Sequence, residues 1–237
     1  QSLSLKRGLF GGEPCPESLR KEVQERLLID ALDNYGVSEV MGPGVSAECE
    51  HRNGLHLNED HFIPEIIDPQ TLKVLPPEAE GELVLTTLTK EAFPVVRYRT
   101  RDITSLDYSP CPCGRTLVRM KKVLGRSDDI IVIKGVKVFP SQVESILVEV
   151  EGVEPRYQIL VEKVEGADTM ELKVEVNEKV FSDEIKNLQS ISSQIERKLR
   201  EIVGVSAKVK LVAPESLQPP DGRQVKVIDR RKEERSK

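Results

Sequence analysis

The sequence predicts an α+β fold in two parts, a β-rich N-terminal part and a C-terminal part that alternates strands and helices. The length of 237 residues suits one large domain, or one domain with a small second one. Short apolar segments separated by proline-containing turns fill Val45–Met120, which is typical of a small β-barrel or a curled sheet. After Val123–Asp129 the pattern changes to β-α-β-β-α-β, so we divide the chain into residues 1–124 and 125–237.

In the first part, apolar residues at helical spacing predict one helix over Glu17–Leu32, which follows the turn Gly11–Pro14. The Asn53-Gly54 pair favours a tight hairpin. The remaining segments of this part are predicted strands, namely Phe62–Ile67, Gly81–Leu88 and Val95–Tyr98.

The second part carries two amphipathic helical patterns between β-branched, alternating segments. The predicted order is strand Ile130–Ile133, helix Gln142–Glu149, strands Tyr157–Val161 and Met170–Val176, helix Asp183–Val203 and strand Ala207–Val212. This is the order of a ferredoxin-like βαββαβ unit. The charged tail Asp229–Lys237 is predicted to be a solvated end.

Composition excludes several classes of function. The chain has 35 Lys+Arg against 40 Asp+Glu, a net charge of −5 that disfavours non-specific binding of nucleic acid. We find no apolar run long enough to cross a membrane and no signal peptide. Four cysteines are too few for a disulfide scaffold, so we expect a cytoplasmic protein with reduced thiols. The absence of an initial Met favours a processed product or a fragment.

Three cysteines and a histidine predict a structural zinc site. Cys111 and Cys113 lie on one tight turn. The hairpin at Asn53-Gly54 is expected to pair His51 with His56, which would bring Cys49, two residues from His51, onto the same face as both histidines. We favour His56 over His51 because it leads directly into the next motif, but His51 remains an alternative. The other interpretation is free thiols and surface histidines.

Five turn-rich motifs are weak individually and specific in their order. They are Gly11–Pro14, Tyr35–Glu39, Tyr98–Asp102, Gly125–Asp129 and Lys134–Pro140. Together they resemble the adenylate-forming acyl-coenzyme A synthetases, and Glu59–Asp68 and Thr86–Glu91 resemble in particular the phenylacetate–coenzyme A ligase family.

The resemblance implies a two-step ligase that uses a small carboxylate, ATP with Mg²⁺, and coenzyme A, with AMP and pyrophosphate as products. Residues 1–124 would be the end of the adenylation domain with a β-barrel-like subdomain, and residues 125–237 a mobile C-terminal domain. In the first part it implies that Gly12, Glu13 and Pro14 lie along adenine and that Tyr35 stacks on it. Gly36 and Ser38 of the same motif would also bind the nucleotide, Glu39 would hold Mg²⁺, and Asp102 would bind the ribose hydroxyls.

Near and beyond the boundary, the resemblance implies that Arg126 contacts the nucleotide and that Asp128 is the hinge. Lys134 and Gly135 would face coenzyme A. Arg223 occupies the position of a family lysine that acts in adenylation. Arg223 keeps the positive charge at that position. Lys226 is the alternative for the role, but we favour Arg223 because Lys226 precedes the apolar pair Val227-Ile228 and matches a family position that is already basic.

The family's upstream phosphate loop has no counterpart in this sequence, so we expect a catalytically incomplete fragment. Three other functions remain open: a non-catalytic nucleotide-binding module, a zinc-stabilised module, and an adenylate-forming relative that does not use coenzyme A. The oligomeric state is also open, with a homodimer through the C-terminal domain as one option.

Overall fold

The computed structural model describes residues 4–12, 15–164, 166–182, 185–217 and 226–232. The chain divides into two compact units, Gln1–Asp128 and Asp129–Lys237. The division falls later than the predicted boundary between residues 124 and 125. The reason is that Gly125 and Arg126 form a short strand that pairs with a strand of the first unit.

The first unit contains ten strands and one helix among the described residues. They are β1 (Arg7–Phe10), α1 (Glu17–Leu27), β2 (Asp30–Val37), β3 (Gly42–Glu48), β4 (Leu55–Leu57), β5 (Phe62–Ile67), β6 (Gly81–Thr87), β7 (Tyr98–Thr104), β8 (Leu106–Asp107), β9 (Arg119–Met120) and β10 (Gly125–Arg126). They form a six-stranded sheet in the order β1-β2-β3-β4-β9-β8 and a four-stranded sheet in the order β10-β7-β6-β5. Both sheets have open ends within the described residues, so the predicted barrel is wrong.

The predicted helix Glu17–Leu32 is two elements in the structure. The helix α1 ends at Leu27, Leu28 takes a left-handed conformation with φ 54°, and the chain continues as β2, parallel to β1. Ala31 and Leu32 are buried in this strand rather than on a helix. A buried ion pair links the helix to the sheet, because Arg20 Nη1 lies 2.6 Å from Glu48 Oε2.

Apolar side chains of the first unit's strands form its core. Leu57, Leu83, Leu85 and Met120 are completely buried there. The rest of the cluster is Val40, Val45, Leu55, Phe62, Ile66, Leu106 and Val118. Burial of this apolar surface is the main stabilising contribution to such a unit.

The second unit packs helices on a four-stranded sheet. Its elements are β11 (Ile131–Ile133), β12 (Val136–Val138), α2 (Pro140–Val148), β13 (Val153–Val164), β14 (Ala167–Val176), α3 (Glu178–Phe181), α4 (Ile185–Lys198), a π-helical turn (Leu199–Val203), β15 (Lys208–Val212), β16 (Val227–Asp229) and a 3₁₀ turn (Arg230–Lys232). The sheet order is β15-β14-β13-β16, with β11 and β12 in a separate hairpin.

This topology differs from the predicted βαββαβ order at both ends. The first predicted strand, β11, pairs with β12 rather than entering the sheet. The fourth sheet strand is β16, which runs parallel to β13 with Ile159 opposite Val227. Asp229, Arg230 and Arg231 therefore lie in ordered elements rather than in the predicted solvated tail.

The core of the second unit lies between its sheet and helices α2 and α4. Ile195 and Leu199 project from the long helical segment, and Gly204 ends it with φ 77°, as the sequence pattern indicates. Fully buried partners come from α2 and the sheet: Val143, Ile159, Val161, Leu172 and Val174. No helix of the described residues is both long and apolar enough to span a membrane.

Candidate functional site

Tyr35 and Asp102 meet in the first unit although 67 residues separate them in the sequence. Tyr35 lies on β2 and donates its hydroxyl to Asp102 Oδ2 at 2.6 Å. Both side chains are half-buried, and that of Asp102 is 17% exposed. The structure therefore brings together the two residues for which the family resemblance implies contacts with adenine and with ribose.

Burial determines the ionisation of this pair. It raises the pKa of Asp102 above its ordinary value, although the Tyr35 hydrogen bond and the Arg126 charge oppose the shift. Burial and the Asp102 charge also raise the pKa of Tyr35, so its hydroxyl stays protonated as a donor. Asp102 is thus a partly desolvated acceptor, suited to binding hydroxyl groups.

An irregularity in β7 presents Asp102. Glu82 pairs with Ile103 and Val84 with Arg99, so a single residue of β6 faces the segment 100–102 of β7. Arg101 takes a left-handed conformation there, with φ 71°. Bulges of this kind redirect a side chain and are common beside functional sites.

Arg126 lies opposite Asp102 in the β7–β10 ladder. Its Nη1 is 3.9 Å from Asp102 Oδ1, and its Nε and Nη2 each donate to the Asp128 carboxylate at 3.0 Å. These hydrogen bonds lower the pKa of Asp128. Arg126 therefore links the predicted ribose acceptor to the predicted hinge residue.

The remaining residues of the second motif lie in the turn after β2. Ser38 and Glu39 are exposed, and Lys90 Nζ donates to the Glu39 backbone carbonyl at 3.0 Å. Burial is the main cause that raises the pKa of Tyr98, followed by the negative charge of Glu39; the charge of Asp102 acts in the same direction. Tyr98 begins β7, the strand that carries Asp102, and its side chain packs against the core of the first unit.

Gly36 has a structural reason to be glycine. A Cβ at this position would lie 2.4 Å from the Gly42 carbonyl oxygen and 2.5 Å from Pro43 Cα, because β3 approaches closely. Gly12 has φ 90° and open space around it. Glu13 and Pro14 lie outside the described residues, so their predicted contact with adenine has no structural description.

In the second unit, Lys134 and Gly135 form the two-residue turn between β11 and β12. Their φ angles are 48° and 84°, a pair of left-handed conformations typical of a tight hairpin. Both residues are exposed, and a Cβ at Gly135 would meet no heavy atom within 4 Å. The turn thus leaves its backbone accessible to a ligand.

The predicted adenylation residue Arg223 lies outside the described residues. Lys226, its alternative, forms an ion pair with Glu144 on α2, with 2.6 Å between Nζ and Oε1. Glu144 also accepts the buried Tyr157 hydroxyl at 2.8 Å. Lys226 is therefore held against the body of its own unit.

The four predicted zinc ligands lie together. Cys49 Sγ is 3.8 Å from Cys111 Sγ, and Cys113 Sγ is 3.4 Å from His56 Nε2. All four candidate ligand atoms lie within 4.8 Å of one another. Tetrahedral zinc with Zn–S bonds of about 2.3 Å requires S–S edges of about 3.8 Å and S–N edges of about 3.6 Å. The donor set and its spacing therefore fit a zinc ion.

The hairpin reaches this arrangement in a different register from the predicted one. His56 pairs with Ala47, not with His51, which is exposed in the turn. The predicted pairing of His51 with His56 is wrong because the connection is longer than a two-residue Asn53-Gly54 turn. Cys49 still shares a face with Ala47, two residues earlier, and so with His56.

A buried arginine supports both ligand-bearing segments. Arg119 on β9 donates to the Asn53 carbonyl at 2.7 Å, on the His56 side, and to the Ser109 carbonyl at 3.0 Å, on the Cys111 side. It also forms an ion pair with Asp107 at 3.0 Å. The ligand positions are therefore fixed by protein contacts around them.

Known proteins identify the class to which these features belong. A family described as the AMP-binding enzyme C-terminal domain matches residues 135–231. The solved structure of 2-hydroxyisobutyryl-CoA ligase in the postadenylation state, with R3-HIB-AMP, is 28% identical, with a TM-score of 0.78 over 98% of this chain and 50% of that one. The fold is thus that of adenylate-forming ligases.

Curated relatives narrow the class to one family. Phenylacetate-coenzyme A ligase of Thermus thermophilus is 46% identical over 98% of this chain and 55% of its own length. The Escherichia coli enzyme of that name is 43% identical over 96% and 52%. The chain therefore belongs to the phenylacetate-coenzyme A ligase family. It spans about half the length of the curated relatives it matches.

Proposed function

We propose that this chain is part of an ATP-dependent acid–thiol ligase that joins phenylacetate, or a related carboxylate, to coenzyme A. The observation that carries the proposal is the Tyr35–Asp102–Arg126 group, at the end of a unit that is followed by a C-terminal domain of AMP-binding enzymes. The first unit contributes one side of the nucleotide site. The second unit acts as the mobile domain, with Asp128 as the hinge.

Each member of the group has a chemical role in the first step. The Asp102 carboxylate accepts hydrogen bonds from the ribose hydroxyls, and Tyr35 stacks on adenine while its hydroxyl orients Asp102. Arg126 offers a guanidinium to the nucleotide at the same edge. These contacts hold the α-phosphate in place while the substrate carboxylate attacks it, with pyrophosphate as the leaving group.

Glu39 would hold Mg²⁺ in this step. An exposed carboxylate on the turn after β2 is an oxygen ligand of the type that Mg²⁺ prefers. The ion supplies neutralisation of phosphate charge when it is bound.

The second unit provides one element for each step. The open turn at Lys134 and Gly135 receives the pantetheine chain when the coenzyme A thiol attacks the acyl carbon and AMP leaves. Arg223 supplies positive charge to the meeting carboxylate and α-phosphate. We prefer it to Lys226 because Lys226 is engaged by Glu144.

Arg223 can be tested by separating the two steps in the full-length gene product. We expect Arg223→Ala to abolish adenylate formation and to leave the thioester step from preformed acyl-adenylate largely intact. Arg223→Lys should retain or raise the first step. Adenylation at the wild-type rate in Arg223→Ala would mean that the role is wrong.

Pyrophosphate release by the full-length gene product tests the proposed function as a whole. The panel contains aryl and alkyl carboxylates, each with and without coenzyme A. We expect carboxylate-dependent release, with phenylacetate among the best substrates, and a thioester only when coenzyme A is present. Pyrophosphate without a thioester would favour the adenylate-forming relative that does not use coenzyme A. AMP binding without turnover would favour the non-catalytic module.

We also propose that Cys49, His56, Cys111 and Cys113 bind a structural zinc ion, because their spacing matches a tetrahedron. Cys49 and His56 come from the β3–β4 hairpin, and Cys111 and Cys113 from the connection between β8 and β9. Four protein ligands leave no open position for a substrate. Metal analysis of protein never exposed to chelator should give about one equivalent of zinc per chain. Less than about a tenth of an equivalent would refute the site.

A further inference from the structure

A fully buried carboxylate contacts residues that adjoin the Tyr35–Asp102–Arg126 group, called the nucleotide group below, in the sequence. Glu82 is on β6, is 0% exposed, and no part of the proposed chemistry uses it. Arg99 on β7 binds it with both ends of its guanidinium, at 2.8 Å from Nε to Oε1 and 2.7 Å from Nη2 to Oε2. Burial raises the pKa of Glu82, but the hydrogen bonds from Arg99 and Ser127 outweigh it, so the pKa is lowered and the carboxylate stays ionised.

The third donor to Glu82 comes from the end of the unit. Ser127 Oγ donates to Glu82 Oε2 at 3.0 Å across 45 positions of sequence, and the Ser127 backbone N–H donates to the Arg101 carbonyl at 2.6 Å. Ser127 follows β10 and precedes Asp128, the last residue of the first unit. The chain is therefore fastened by both backbone and side chain one residue before the unit ends.

The ion pair with Arg99 alone does not explain a carboxylate at this position. Buried ion pairs contribute little net stability compared with apolar residues of similar volume, because both charges must be desolvated. A carboxylate can accept several hydrogen bonds at once, and Glu82 Oε2 accepts from Ser127 as well as from Arg99. What the charge adds here is a strong acceptor for the Ser127 hydroxyl.

The irregularity in β7 also helps to hold Ser127 in place. Arg101, with its left-handed backbone, is the residue whose carbonyl accepts the Ser127 N–H, and its Nη1 lies 3.9 Å from Glu82 Oε2. The residue on each side of this contact belongs to the nucleotide group, with Asp102 following Arg101 and Arg126 preceding Ser127. Fixing Ser127 against Arg101 therefore fixes Arg126 against Asp102.

We propose that Glu82 is a positioning residue that acts through Ser127: it fixes Arg126 beside Asp102 for nucleotide binding and sets Asp128 as the first position at which the chain can pivot. The proposal rests on the proposed function for its nucleotide part. Its structural part, the fastening of residues 125–127, is independent of any catalysis.

The test removes only the Ser127 hydroxyl. In the full-length gene product, hydrogen exchange measured by mass spectrometry should be about tenfold faster over residues 125–128 in Ser127→Ala than in wild type, because one charge-assisted hydrogen bond is lost. The matched control is Ser145→Ala, since Ser145 Oγ bonds only one turn back on α2, to the Ser141 carbonyl. Ser127→Thr keeps the hydroxyl and should restore protection.

The same variants separate positioning from general loss of structure. We expect Ser127→Ala to raise the Kd for AMP and the KM for ATP several-fold with kcat nearly unchanged, and Ser127→Thr to recover both. Glu82→Gln should show the same pattern more strongly. Unchanged exchange over residues 125–128, or acceleration spread evenly over the chain, would overturn the fastening. Unchanged Kd for AMP would overturn the link to the nucleotide. If the wild-type protein binds no AMP, both the proposed function and the role of Glu82 in nucleotide binding are wrong. Hydrogen exchange over residues 125–128 would still test whether Glu82 holds this segment in place.

Discussion

Replacing Asp102 by Asn should stabilise the protein and weaken its binding of AMP. Asn keeps the size of the side chain and an oxygen that can accept the Tyr35 hydroxyl, now 2.6 Å from Asp102 Oδ2. The change therefore removes a charge with little change in packing. It separates the contribution of this carboxylate to folding from its contribution to ligand binding.

The sign of the stability change follows from the pKa of Asp102. Burial holds this pKa above 3.8, so the folded protein keeps the proton to higher pH than the unfolded chain does. Ionisation of Asp102 therefore lowers the stability as the pH rises from 3.8 through the raised pKa of the folded protein, and the loss stays constant at higher pH. With only 17% of the side chain exposed, removal of the charge should add on the order of 1 kcal/mol at pH 7. For a chain of this size that corresponds to a Tm about 2–4 °C higher.

The effect on AMP has the opposite sign. A hydrogen bond to a charged acceptor contributes about 1.5–3 kcal/mol, so Asn in place of the carboxylate should raise the Kd for AMP roughly ten- to a hundredfold. Isothermal titration calorimetry on the full-length gene product measures this directly. A lower Tm together with an unchanged Kd would contradict both the role of Asp102 and its electrostatics.

Asp107 provides a matched control in the same unit. It is also an aspartate in a β-strand, but hydrogen bonds from Ser109 lower its pKa to about 2. Its contribution is complete above pH 3.8 and is lost as the pH falls towards 2. Asp107→Asn should therefore destabilise the protein at pH 7 by about 2 kcal/mol, and should leave the Kd for AMP unchanged.

Two further changes test the zinc site and the second unit. Cys111→Ser should remove most of the bound zinc and lower the Tm, because the site loses one of its four ligands. The control is Cys15→Ser, outside the cluster, which should leave the zinc content unchanged and shift the Tm by no more than about 1–2 °C, the effect of a minor surface change. Arg231→Ala should destabilise the protein by about 1–3 kcal/mol and speed hydrogen exchange in β11 and β16. The reason is that Arg231 donates to the Val132 carbonyl at 2.7 Å and to Asp168 at 2.9 Å. Unchanged exchange in both strands would show that the Arg231 hydrogen bonds do not stabilise these strands.

The features that the sequence predicted well are those set by rare residue types or by long periodic patterns. Cys49, His56, Cys111 and Cys113 could be selected as one group because few residues of these types occur in the chain, and the structure brings all four together. The long amphipathic pattern after residue 183 likewise corresponds to α4 and its π-helical extension. Whether zinc occupies the group stays a prediction.

The errors come from choices that local sequence does not determine. Ala31 and Leu32 continue a helical pattern, yet they lie in β2 because β1 and β3 offer partners on both sides. Strand partners are equally non-local, so local sequence places β11 in the sheet and does not identify β16, three residues that adjoin the charged tail. Closure of the predicted barrel depended on such pairings as well.

Glu82 was missed because burial cannot be read from a single position. The available signal was a lone carboxylate in the apolar segment Gly81–Thr87, which resembles an ordinary strand with one solvent-facing residue. Its partners, Arg99 and Ser127, follow 17 and 45 positions later. Only the three-dimensional arrangement identifies the three as one contact.

Formation of a thioester by the full-length gene product tests the central claim most directly. The protein is incubated with phenylacetate, ATP, Mg²⁺ and coenzyme A, and mass spectrometry follows phenylacetyl-coenzyme A and AMP. We predict that the two products accumulate in equal amounts, that neither forms without ATP, and that Asp102→Asn slows both. Accumulation of ADP in place of AMP, or no thioester with any carboxylate of the panel, would contradict the account.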